Sequence, residues 1–227
     1  RGMAGRGLAR RGGAWQGMAW IGKAIFSTRS TKLEIEINIR GTSPLILNKF
    51  TDAAAMASTN GSRSSAAAGT RGTPREIAEG KLYYGVDGGL VLPSPNLLRC
   101  LIDGGSFFKA GRKQITTKAE SMLFSCLDII AAEIPLRHAQ PWTVDTRAVV
   151  IPATKGRILA HRPRFDDWNL AFTVLLDTSI VQEPLLREIV DAAGQRIGLG
   201  DFRPARKGPF GRFRVDSWKA VDLPIAA

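Results

Sequence analysis

The stretch from Lys32 to Arg40, KLEIEINIR, constrains this chain more than any other. Leu33, Ile35, Ile37 and Ile39 alternate strictly with Glu34, Glu36 and Asn38. Successive side chains of a strand point to opposite faces, so this period of two predicts a half-buried strand with four aliphatics facing a core. Gly41-Thr42-Ser43-Pro44 then supplies a turn signal.

Beyond Phe50 the pattern lapses. Residues 51–74 are mostly Ala, Ser, Thr and Gly, with Met56 the one large aliphatic side chain. Such a stretch cannot bury enough surface to order itself, so it predicts a long mobile insertion. Arg75 to Lys81 suggests a short helix, and Leu82 to Pro93 a hairpin turning at Asp87-Gly88. Ser94 as N-cap with Pro95 behind it predicts a helix through Asp103, ended by Gly104-Gly105. Residues 109–118 read as a basic loop.

Strands are expected at Phe124 to Leu136, Thr143 to Ile151, Arg157 to Ala160 and Trp168 to Leu176. Pro184 to Ala193 is the clearest helix, with Leu185, Leu186, Ile189 and Val190 on one face and Gly194 at its end. A last strand is expected from Gly211 to Val221. This order favours an α+β fold, a mainly antiparallel sheet with helices on one face.

Charge narrows the function. The 227 residues carry a net +12, an excess that opposes compaction and usually signals a polyanionic partner. Residues 1–32 hold seven basic groups and no acid, so removing them leaves +5 on residues 33–227. Two readings of residues 1–31 stand: an upstream extension of the reading frame, or a basic arm that orders on a partner. Residues 14–26 are too interrupted to form a signal-peptide core. No run reaches the roughly 20 apolar residues of a membrane span, so no membrane partner and a cytoplasmic location are expected. Cys100, Cys126, His138 and His161 lack the short paired spacing of structural zinc sites, and neither metal nor cofactor is expected.

The segment Gly194 to Val215 brings together the features that phosphate binding needs. It holds Gly194, Gly198, Gly200, Gly208 and Gly211 together with Arg203, Arg206, Lys207, Arg212 and Arg214. Glycines let the backbone approach a ligand, and arginine forks fit phosphates. Phe202, Phe210 and Phe213 are candidates for stacking on bases, although alternation over 211–215 makes Phe213 a core residue. Arg162 and Arg164, flanking Pro163, form a second basic cluster that Asp166 and Asp167 could simply neutralise. Lys109, Arg112, Lys113 and Lys118 form a third, a loop charge run of the kind that is usually only solvated. No catalytic signature stands out, and catalysis is not expected. The rival is a metal-independent ribonuclease using His138 or His161 as general base.

The strand running into Gly41-Thr42-Ser43-Pro44-Leu45, and the late helix followed by Gly198-Leu199-Gly200-Asp201-Phe202-Arg203-Pro204 and Gly208-Pro209-Phe210-Gly211-Arg212-Phe213, resemble the RAMP superfamily over roughly residues 32–221. That superfamily supplies RNA-binding backbone subunits of CRISPR effector complexes. The resemblance implies a ferredoxin-like (RRM-like) fold and a non-catalytic subunit that lines up with copies of itself along RNA, beside other subunits of a ribonucleoprotein. It also implies that 198–214 faces phosphates, and that 51–74 is a finger touching a neighbouring subunit or displacing bases. Phage single-stranded DNA binding and virion assembly fit the same residues.

Overall fold

In the computed structural model, which describes residues 32–50, 72–150 and 156–222, the alternating segment is β1 (Lys32–Gly41), an interior strand of an antiparallel sheet. Leu33, Ile35, Ile37 and Ile39 are all buried. On one side β1 pairs with β10 (Asn169–Asp177), from Lys32 opposite Asp177 to Arg40 opposite Asn169. On the other it pairs with β11 (Phe213–Asp222), with a bulge facing Asn38 and Ile39.

The far side of β10 is shared by β6 (Leu127–Ile129) and β7 (Glu133–Arg137), and β7 in turn pairs with β3 (Val91–Pro93). Two helices fill the crossovers, α2 (Ser94–Gly104) and α4 (Glu183–Ala192). In chain order this is strand, helix, strand, strand, helix, strand, and in space β11-β1-β10-β6/β7. The fold is therefore α+β and ferredoxin-like. Leu97 and Leu101 of α2 and Leu186, Ile189 and Val190 of α4 join the β1 aliphatics in one core. The helices approach closely at Gly104, where an added Cβ would stand 2.7 Å from that of Ala193.

A second, three-stranded sheet lies beside the first: β2 (Leu45–Ile46), β9 (Arg157–Phe165) and β8 (Thr143–Val150). The short helix α1 (Pro74–Glu79) packs against this pair of long strands and is closed at its start by a reciprocal Thr73–Glu76 capping box.

Four sequence expectations need correction. Phe124 to Leu136 is not one strand. Leu123–Cys126 forms a helical turn, α3, that buries Leu123 and Cys126, and after β6 the chain leaves β10 so that Glu133–Pro135 can pair with β3. Ser94 is the first helical residue rather than the cap: Pro93 takes the cap position and no side-chain bond closes the end. Gly194 does not end its helix. The chain continues through a π turn over Ala193–Ile197, and a Cβ at Gly194 would stand 2.3 Å from the carbonyl oxygen of Phe213. That glycine admits a crossing strand. The 109–118 loop contains a two-residue hairpin, β4 (Lys109–Ala110) and β5 (Lys113–Gln114), turning at Gly111. Most of the expected 51–74 insertion, residues 51–71, and the basic arm 1–31 lie outside the described residues.

Candidate nucleic-acid interface

The two motifs that carried the family resemblance are bonded to each other. The amide of Thr42 donates to the carbonyl of Arg212 at 2.8 Å, and the amide of Arg212 donates to Ser43 Oγ at 2.9 Å. Gly211 donates to the carbonyl of Pro44, Leu199 to that of Gly211 and Asp201 to that of Ile46, each at 2.8 Å. The glycine-rich segment is thus a folded loop held on the turn after β1.

Gly200 shows why glycine is required there. Its φ is +73°, and a Cβ would stand 2.3 Å from the carbonyl oxygen of Ile46.

This loop forms one wall of a cleft of about 660 Å³. Arg203 and Arg206 come from the loop, Arg99 from α2, Arg147 from β8 and Arg162 from β9. Asp201 is the one acid among the described residues lining it.

Arg162 is 5% exposed. Its Nη1 donates to Asp201 Oδ2 at 2.5 Å, while its Nε is buried without an acceptor among the described residues. Asn48 Nδ2 donates to the same carboxylate oxygen at 3.1 Å, and Asp201 Oδ1 accepts the amide of Phe202 at 2.8 Å. Beside them Lys81 Nζ donates to the carbonyl of His161 at 2.8 Å. Burial, aided by the Arg162 charge, holds the Lys81 ammonium below its usual pKa of 10.5.

The rim is more open. Arg147 Nε donates to both carboxylate oxygens of Asp145 at 2.9 Å, and Arg99 pairs with Asp103 at 3.0 Å. Arg203 Nη1 donates to the carbonyl of Gly200 at 3.0 Å. Arg206 is exposed with no carboxylate partner among the described residues. Exposed guanidinium groups on a concave surface can bind phosphate oxygens at little desolvation cost.

The expected site residues divide. Gly198, Gly200, Arg162, Arg203 and Arg206 line the cleft. Gly208 is buried, tucked under the Phe202 carbonyl. Lys207, Arg212 and Arg214 are exposed outside the cleft, with Arg214 opposite Arg40 in the β1–β11 ladder. Arg164 is held by Asp166 at 2.6 Å, as the neutralisation reading anticipated, whereas Asp167 pairs with Arg40 and Arg162 with Asp201. Lys109, Arg112 and Lys113 stand on the β4–β5 hairpin and do not line the cleft.

Phe210 and Phe213 are not free to stack on bases, being 6% and 1% exposed. Phe210 packs against Phe202 and lies under Arg147, whose guanidinium is 4.8 Å from the ring centroid. Neither histidine lines the cleft: His161 Nδ1 bonds Thr146 Oγ1 at 2.8 Å, and His138 Nδ1 bonds the carbonyl of Gln140 at 2.9 Å.

Sequence reasoning missed Arg99, Arg147, Asn48, Asn96 and Tyr83. Asn96 and Arg99 share α2, while Asn48, Tyr83 and Arg147 lie on other parts of the chain, and no dense basic cluster in the sequence marks any of them.

RRM-like sheets usually stack bases on aromatics of the exposed sheet face. Here that face carries Glu34, Glu36, Asn38 and Arg40 of β1, flanked by Ala171 and Thr173 of β10 and by Ser217 and Lys219 of β11. No aromatic stands among them, and Lys219 bonds Glu36 at 3.3 Å. The cationic concavity lies instead between the two sheets and α2.

No protein-family model and no curated protein matches the sequence. Solved structures do match in fold. One is a chain from the cryo-EM structure of Type III-B Cmr-beta bound to cognate target RNA, similar with a TM-score of 0.50 over 84% of this chain at 8% identity. This chain spans 61% of the length of that one. The likeness is one of fold.

Proposed function

We propose that the chain is a non-catalytic, RNA-binding subunit of the RAMP type that assembles with copies of itself along its ligand, within a ribonucleoprotein of the CRISPR effector kind. The observation that carries this is the convergence of Arg99, Arg147, Arg162, Arg203 and Arg206, from four separate parts of the chain, on one cleft walled by the glycine-rich loop. A backbone-directed site needs cations that reach phosphates without reading bases, and Arg203 and Arg206 meet that need. The fold likeness to a chain solved with target RNA supports the same reading. Three of the five arginines already hold a carboxylate, so the free charge of the cleft is modest.

A salt titration of binding to a labelled single strand is the direct test. Two neutralised phosphates give a log–log slope of about −1.4 on single strands, and binding that ignores salt defeats the proposal. RNA and DNA of one sequence, run side by side, distinguish the ligands. Light scattering that grows only with oligonucleotide supports templated assembly, whereas growth without it favours the virion-type rival.

A further inference from the structure

The lining of the cleft is not uniformly cationic. The rim is cationic and open: the side chains of Arg99 and Arg147 are 67% and 41% exposed, and Arg206 is exposed beside them. Its floor is formed by Leu47, Leu92 and Leu199, each at most 1% exposed, and by buried Arg162. The lining also includes exposed Asn48 and Asn96 and half-buried Tyr83, groups that a bare phosphate does not need.

We propose that the cleft takes in one whole nucleotide of a single strand, its phosphate held at the arginine rim and its base turned inward over the leucine floor. This rests on the nucleic-acid reading above and adds a pocket to it. At about 660 Å³ the space falls within the roughly 300–1,000 Å³ of sites that enclose a small organic ligand.

The polar inventory fits a base edge. Asn48 spends one amide N–H on Asp201 and keeps its carbonyl oxygen as an acceptor. Asn96, exposed in the first turn of α2 and without a hydrogen-bond partner among the described residues, offers a donor and an acceptor. Tyr83, half-buried in the lining, supplies an aromatic face against which a base can lie.

The test is competition on the full chain. Nucleoside 5′-monophosphates, ribose 5-phosphate and inorganic phosphate are each titrated against a bound, labelled single-stranded oligonucleotide. The pocket predicts that at least one nucleotide competes about tenfold better than ribose 5-phosphate. Asn96→Ala, at an exposed position that leaves the fold intact, should cut that advantage about fivefold and leave competition by inorganic phosphate unchanged. Equal competition by all three compounds overturns the pocket in favour of a plain phosphate site. Oligonucleotide binding that no nucleotide disturbs overturns it too, and leaves the nucleic-acid reading standing. If the oligonucleotide itself does not bind, that reading fails, and calorimetric titration with the nucleotides alone then decides the pocket: heat of binding keeps it, and none removes it.

Discussion

Trp168 donates its indole N–H to the carbonyl of Ser43 at 2.8 Å, fixing the start of β10 to the turn that ends β1. The indole is fully buried and lies directly on Gly41, where an added Cβ would stand 2.2 Å from Nε1. Gly41→Ala should therefore lower stability by about 2–3 kcal/mol through overpacking, read as a shift in the urea midpoint. Gly80→Ala is the contrast. Its φ is −61° and no atom lies nearer than 3.8 Å, so the change should stabilise by about 0.4–1 kcal/mol. Equal effects at the two positions would contradict this packing.

The Arg162–Asp201 pair should respond unequally to removal of either partner. The Arg162 side chain is 6% exposed and that of Asp201 33%, so the carboxylate can be rehydrated and the guanidinium cannot. Asp201→Asn strands a buried cation next to Lys81 and should cost about 3 kcal/mol or more. Arg162→Met should cost less than half of that. Chemical denaturation of both variants measures the difference, and a larger loss for Arg162→Met would reverse the assignment.

Lys81 gives stability a dependence on alkaline pH. Its folded pKa lies below the ordinary 10.5 because of burial and then the Arg162 charge. Between the folded value and 10.5 the unfolded chain holds the proton more tightly, so stability rises as pH rises through that window. Below it the penalty of the buried ammonium is fully present. In Lys81→Met this pH-dependent gain should vanish, and parallel stability curves for the two proteins from neutral pH to 10.5 would refute it.

Both cysteines should be inert in the folded chain. Burial pushes the Cys100 thiol up to about 12 and the Cys126 thiol up to about 11, and Cys100 Sγ also donates to the carbonyl of Gly198 at 3.3 Å. The thiolate is the reactive form, so a thiol reagent at about pH 8 should label neither until denaturant is added. Rapid labelling of native protein would contradict the burial.

Arg206→Ala and Lys113→Ala separate cleft charge from surface charge. The first should weaken binding to all single-stranded sequences alike and reduce the salt slope by about 0.7–1. The second, on the β4–β5 hairpin away from the cleft, should change neither. Matching losses would mean that ligand follows overall charge and not the cleft.

The fold was legible where periodicity was strong. KLEIEINIR could only be a one-sided strand, and the aliphatic face of 184–193 only a helix. Boundaries failed where tertiary contacts decided them. Gly194 looks like a terminator in sequence, but its real constraint is the crossing backbone of Phe213. Half of the cleft was legible because Gly198 to Arg206 are contiguous and dense in charge. Arg99 and Arg147 were not, because each is a lone cation on an amphipathic element and only the packing of β8 and α2 brings it to the loop. The fate of Arg164 turned on whether Asp166 could reach it, a question of side-chain direction that composition leaves undetermined.

The cleft draws on residues from Leu47 to Arg206, contributed by both sheets, α2 and the loop. An unfolded chain has no counterpart of it, so occupancy and folding are thermodynamically linked. A ligand at a hundred times its dissociation constant should add about 2.7 kcal/mol to the free energy of unfolding. A thermal melt recorded across a series of candidate oligonucleotides would rank them without any label or enzymatic readout.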